Sequence, residues 1–122
     1  METFAALLYD LISRRLVSVI AEGYIYADGT EQTILDAGSG MVVTGYIDLS
    51  EMQDGDEVVL RMYVRTREGG EYGLYASQAY RDAQGEPVVC VLPRYTARGA
   101  RLTLQQVKGT YRRFSYVFVR IV

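Results

Sequence analysis

Histidine and tryptophan are absent from this 122-residue sequence, proline occurs twice, and Cys90 is its one cysteine. Each shortage closes a class of chemistry. Without histidine there is no Ser-His-Asp triad, no Cys-His nucleophile pair and no imidazole for a haem iron. One cysteine cannot complete a zinc finger, nor form the disulfides that staple very small secreted domains. Lysine is scarce as well. Twelve of the thirteen basic residues are arginine, whose planar fork suits fixed ion pairs and interfaces. The greasiest stretch, residues 4–20, carries Asp10, Arg14 and Arg15, so membrane insertion through a span of ~20 apolar residues is not expected. Met1-Glu2 offers an acid where a secretory leader needs positive charge, so a cytoplasmic or virion location is expected.

What is present has the balance of a globular chain, with 49% hydrophobic and 23% charged residues. Its length suits one domain over residues 1–122. Residues 3–13 place Phe4, Leu7, Leu8, Leu11 and Ile12 on the stripe of an amphipathic helix. From Leu16 the period changes to two. Strands are expected over residues 16–26, 31–37, 41–49, 58–65, 71–81, 87–92, 100–107 and 111–121, punctuated by glycine turns. The clearest sets Val58, Leu60, Met62 and Val64 against Val59, Arg61, Tyr63 and Arg65. In the first, Val17, Val19, Ala21 and Ile25 are expected opposite Ser18, Glu22, Tyr24 and Tyr26. Cys90, within Val88-Val89-Cys90-Val91-Leu92, reads as a buried thiol. The fold class is therefore mainly β, an antiparallel, jelly-roll-like sandwich of about eight strands behind one N-terminal helix.

The net charge of −2 hides a segregation. Residues 16–60 hold nine acids and no Lys or Arg, while residues 87–122 hold seven basic residues and no acid. Interleaved strands would neutralise the two regions within a subunit, and head-to-tail contacts would do so between subunits. Part of the contact is expected between subunits, with Arg98, Arg112 and Arg113 as the basic partners.

Four constellations are candidates for chemistry, and each has a plainer reading. The acidic run 48–57 holds candidate calcium oxygens, but it lacks the order of an EF-hand loop and reads as a surface turn. Glu22, Glu57, Glu68, Glu71 and Glu86 could supply a glycosidase pair, yet nothing in the pattern pairs them, so no enzyme, metal or cofactor is expected. Residues 93–101 and 108–114 interleave Arg with aromatics, as nucleic-acid platforms do. The sequence pI of about 5.1 argues instead for Arg facing acidic strands. Eleven tyrosines suit glycan stacking or a protein interface, and the missing tryptophan favours the interface.

The last strand is the most informative. Phe114, Tyr116 and Phe118 share one face and Ser115, Val117, Val119 and Ile121 the other. Only one face can meet a second sheet, so the N-terminal helix or another subunit must cover the other. The candidate interface residues are Phe4, Leu8, Leu11, Arg98, Arg112, Arg113, Phe114, Tyr116 and Phe118.

Four phrases carry a resemblance: Ala27-Asp28-Gly29-Thr30-Glu31-Gln32-Thr33, Gly45-Tyr46-Ile47-Asp48-Leu49-Ser50, Leu102-Thr103-Leu104-Gln105-Gln106 and Gly109-Thr110-Tyr111-Arg112-Arg113-Phe114. Together they resemble small β-sandwich proteins of virus-like or proviral structural genes in prokaryotes. The likeness spans residues 27–118 and carries over no functional residue. It implies a virion component. The expectation is a non-enzymatic homo-oligomer or assembly protein, with a glycan- or surface-binding module second and a nucleic-acid binder third.

Overall fold

The structure, a computed structural model, describes residues 17–121. The helix expected over residues 3–13, with Phe4, Leu8 and Leu11, lies outside them. The described residues hold eight strands and no helix: β1 (Val17–Tyr26), β2 (Gln32–Ala37), β3 (Val42–Asp48), β4 (Glu57–Val64), β5 (Gly73–Arg81), β6 (Val88–Tyr95), β7 (Ala100–Lys108) and β8 (Arg113–Ile121). They form two four-stranded sheets, A in the order β1-β8-β3-β6 and B in the order β2-β7-β4-β5, and every pairing is antiparallel.

Period-two patterning puts the apolar set of each strand on one side, and both sheets turn that side to a single core. Val43 and Ile47 of β3 and Phe114 and Phe118 of β8 enter it from sheet A. Ile34, Val58, Leu60, Leu102 and Leu104 enter it from sheet B. β4 keeps the alternation its sequence expects, with Val58, Leu60 and Met62 buried and Val59, Arg61 and Tyr63 half-buried on the outer side.

β1 departs from it. A bulge between Val19 and Ala21 inserts Ile20, and parity flips there. Val17 and Val19, opposite Ile121 and Val119, thus share the outer face with Glu22, Tyr24 and Tyr26. Ala21 and Ile25 face inward opposite Phe118 and Phe114. The expected grouping of Val17 and Val19 with Ala21 and Ile25 is corrected by one extra residue.

The sheets differ at their two sides. On one, the edge strands are β1 and β2, where Ala27 N donates to Arg112 O at 3.0 Å as an extension of the β1–β8 ladder and Gln32 Nε2 donates to Tyr26 O at 3.1 Å across the link between the sheets. On the other, β5 and β6 are the free edges of opposite sheets. β6 carries Pro93 in a second bulge, opposite Thr44, a position an edge strand tolerates because proline lacks an N–H.

Candidate assembly surface

The open side is built by β5 and β6. Nothing pairs their outer edges among the described residues, and their side chains remain exposed: Leu74 and Tyr75 on β5, Val88, Leu92 and Tyr95 on β6. A cleft of about 300 Å³ runs between them, with core residues Leu60, Met62 and Leu102 at its floor and Val89 and Val91 on its β6 wall. Toward Tyr95 it continues into a second hollow of about 560 Å³, bounded by Val64, Pro93 and Ala100. Arg94 reaches across the mouth, its guanidinium carbon 5.5 Å from the Tyr75 ring centre.

Cys90 lies on β6 and is exposed. The buried thiol expected for it is corrected, because residue 90 sits opposite Tyr46 on the outer face of sheet A, while Val89 and Val91 take the inward positions. An apolar strand read as buried is instead a two-faced edge. That apolarity is the signal by which sequence reasoning could have found this surface.

The outer face of sheet A is a second apolar area that no other described element covers. Across the strands from the Val17 end, its rows read Val17–Ile121–Val42, then Val19–Val119–Thr44, then Glu22–Val117–Tyr46–Cys90. Beyond these come Tyr24–Ser115–Asp48–Val88, then Tyr26 beside Arg113. The face grades from apolar to polar along the strands.

The candidate interface residues separate. Phe114 and Phe118 are fully buried in the core, and Tyr116 packs against it with its ring 5.9 Å from that of Phe118. Phe114 and Phe118 hold the two sheets together and are closed to a partner, while Tyr116 is half-buried and the same strand presents Val117, Val119 and Ile121 outward. Arg98, Arg112 and Arg113 each meet an acid of the same chain: Glu68 at 3.9 Å, Asp56 at 2.8 Å and Glu51 at 3.0 Å. Arg101 meets Asp36 at 3.4 Å and Arg61 meets Glu31 at 3.6 Å. Pairs within the chain form because antiparallel interleaving lays late basic residues beside acidic ones from earlier strands and turns.

Asp56 is the centre of the tightest of these contacts and only 2% exposed. Its Oδ2 accepts from Gln53 N and Arg112 Nε, each at 2.8 Å. Burial works against its charge. The Arg112 guanidinium and the Gln53 and Thr110 N–H groups outweigh burial and hold the carboxyl below its usual range. The adjoining turn wraps Gln106, whose Oε1 accepts from Arg112 N and whose Nε2 donates to Lys108 O and Thr110 O. Gly109 sits at φ +91° where a Cβ would strike Asp56.

The outer face of sheet B is polar. Glu31 Oε2 accepts from Thr103 Oγ1 at 2.6 Å and from Tyr63 Oη at 2.5 Å, and these bonds lower the carboxyl and raise the phenol. Beside them the guanidinium carbons of Arg101 and Arg65 lie 4.4 and 4.7 Å from the Tyr72 ring centre. A shallow hollow of about 360 Å³ joins Glu31, Tyr63 and Tyr72.

In the acidic turn after β3, Asp48 caps Ser50 N, Asp54 accepts from Ala83 N, Glu51 faces Arg113 and Glu57 faces Arg81. Among the described residues no three Cys, Asp or Glu converge to hold a metal ion. Calcium is therefore expected to leave the melting temperature unchanged. A site filled to ~100 times its dissociation constant would add ~2.7 kcal/mol, a shift of several degrees in differential scanning calorimetry. No helix among the described residues is long and apolar enough to cross a membrane. The chain matches no protein-family model and no curated protein.

Proposed function

We propose that this chain is an eight-stranded jelly-roll sandwich that works as a non-enzymatic assembly subunit, a structural or decoration protein of a virion. The strand orders β1-β8-β3-β6 and β2-β7-β4-β5 support the jelly roll, since each sheet interleaves early and late strands as two Greek keys do. The virion setting rests on the resemblance of residues 27–118.

One observation carries the assembly reading. The β5–β6 side exposes two unpaired edges and a cleft floored by core residues, with exposed Tyr75 and Leu92 in its lining and exposed Tyr95 in the hollow it joins. Free edges with apolar flanks are templates for further contact, and monomers ordinarily blunt them. A copy seated there withdraws both edges from water. Leu92 and Tyr75 are 63% and 55% exposed, so neither holds the fold of its own subunit.

Light scattering at micromolar concentration tests this. Oligomers are expected from the wild type. Leu92→Glu with Tyr75→Glu should weaken association by more than ~30-fold, the ~2 kcal/mol of an interface hot spot, with little change in subunit melting. A wild type that stays monomeric across that range overturns the reading. The Glu31–Tyr63–Tyr72 hollow favours a second reading, a glycan-binding module, and a saturable change of tyrosine emission with a polysaccharide would support it instead.

A further inference from the structure

We propose that the outer edge of β6 pairs antiparallel with the same edge of a second copy, in one register centred on Cys90. This pairing is the contact used by the assembly proposed for the β5–β6 side, and it rests on that reading. Leu49 N donates to Pro87 O at 2.8 Å, and Ile47 and Gly45 stand opposite Val89 and Val91. Antiparallel ladders bond alternate residues, so the bonds of β6 to β3 fall at Pro87, Val89 and Val91. The N–H and C=O groups of Val88, Cys90 and Leu92 point the other way, to an edge that no described element pairs.

The residues along that edge are complementary to their own reverse. Turning a second copy about Cys90 sets Val88 opposite its Leu92, Cys90 opposite its Cys90, and Leu92 opposite its Val88. Each such pair exchanges two backbone bonds, about six in all. Val88 and Leu92, both exposed in the single chain, then cover one another. The same rotation sets Pro87 opposite Pro93 and Glu86 opposite Arg94. Pro87 is turned toward β3 and Pro93 lies in the bulge beyond Leu92, so neither proline removes a donor that the pairing uses. Glu86 and Arg94 are both exposed, and neither meets an opposite charge within 4.0 Å among the described residues.

Neighbouring registers fit less well. Centring on residue 91 sets Val88 opposite Arg94, whose backbone is bonded to β3, as Thr96 N donating to Met41 O two residues on requires. Centring on residue 89 sets Leu92 against Glu86. β5 is the poorer edge. Asp82 N donates to Asp56 O at 2.8 Å, so by the same alternation its free residues are Ser77, Ala79 and Arg81, and Arg81 is already engaged by Glu57.

Oxidation of the full chain with diamide tests the register. Residues paired across an antiparallel ladder lie ~4.5–5.5 Å apart at Cα, within the span of a disulfide. Cys90 is exposed and is the chain's one cysteine, so the wild type is expected to give a disulfide-linked dimer. Cys90→Ser with Val88→Cys should give none, because the two copies of residue 88 are then ~13 Å apart along the strands. Adding Leu92→Cys to that variant should restore the dimer. No bridge at Cys90, or an equal yield from Val88→Cys alone, overturns the proposal. Charge supplies a second readout, by light scattering at low salt. Glu86→Arg or Arg94→Glu alone should weaken association about tenfold, and the two together should restore it to within about twofold. Losses that add in the double variant overturn the pairing while oligomers still form, which leaves assembly to another contact. A wild type that stays monomeric overturns the pairing and the assembly reading together.

Discussion

Arg112→Glu is expected to lower the subunit's melting temperature by more than ~12 °C, while Arg113→Glu beside it costs no more than ~4 °C, taking ~4 °C per kcal/mol for a chain of this size. The two arginines are neighbours in sequence and opposites in setting. Arg112 meets Asp56, which is 2% exposed, and its removal leaves a buried carboxylate unpaired, a loss of ~3–5 kcal/mol. Glutamate adds a like charge to that loss. Arg113 and Glu51 are each close to half exposed, and such surface pairs contribute ~0–1 kcal/mol. Calorimetry of the two variants separates these cases. Equal, small effects would mean that Asp56 finds water, and that the contact between the two turns is weaker than its geometry. Association through β5 and β6 should survive both changes.

The same pair sets an acid limit. Asp56 titrates below its unfolded value of ~3.9, so its stabilisation is complete at neutral pH and is lost as pH falls through the folded value. In Arg112→Met only burial and the two N–H groups remain. The deficit relative to wild type should then be largest at neutral pH and shrink toward pH 3, as protonation relieves the buried charge.

Much of this architecture was legible because it depends on alternation within short segments. β4 reads correctly from its own eight residues, since Val58, Leu60 and Met62 need no knowledge of their partners to mark the inner face. The bulge at Ile20 was not legible. Whether Val17 and Val19 share a face with Ala21 depends on how β8 lies alongside, and a local pattern carries no such information. Cys90 failed for a related reason. Five apolar residues in a row describe a strand buried on both faces and an unpaired edge equally well, and only the sheet order distinguishes them. The charge segregation was visible as composition, but its resolution into Asp36–Arg101 and Asp56–Arg112 required the pairing of β2 with β7 and the meeting of the turns that lead into β4 and β8. The surface that supports the assembly proposal therefore emerged from topology, and the core from sequence.

Phe118→Ala is expected to cost ~3–5 kcal/mol, more than ~12 °C in melting temperature, because its ring is fully buried between the sheets. Its seat explains a glycine that no turn requires. Gly45 lies in β3 directly opposite Phe118, and a Cβ there would stand 2.5 Å from Phe118 Cδ1, 2.9 Å from its Cα, and in collision with Val117 O. Gly45→Ala alone should therefore cost ~1–3 kcal/mol through overpacking. The pair should not add. Removing the ring relieves its overlap with the new Cβ but leaves the clash with the Val117 carbonyl, which belongs to the β3–β8 ladder and cannot move cheaply. The double variant is expected to be more stable than the sum of the single losses by ~1 kcal/mol, within the range for residues in contact. Denaturant melts of the four proteins measure that term. Strict additivity would mean that the carbonyl alone forbids a side chain at residue 45, and that the Phe118 ring could have been accommodated elsewhere in the core.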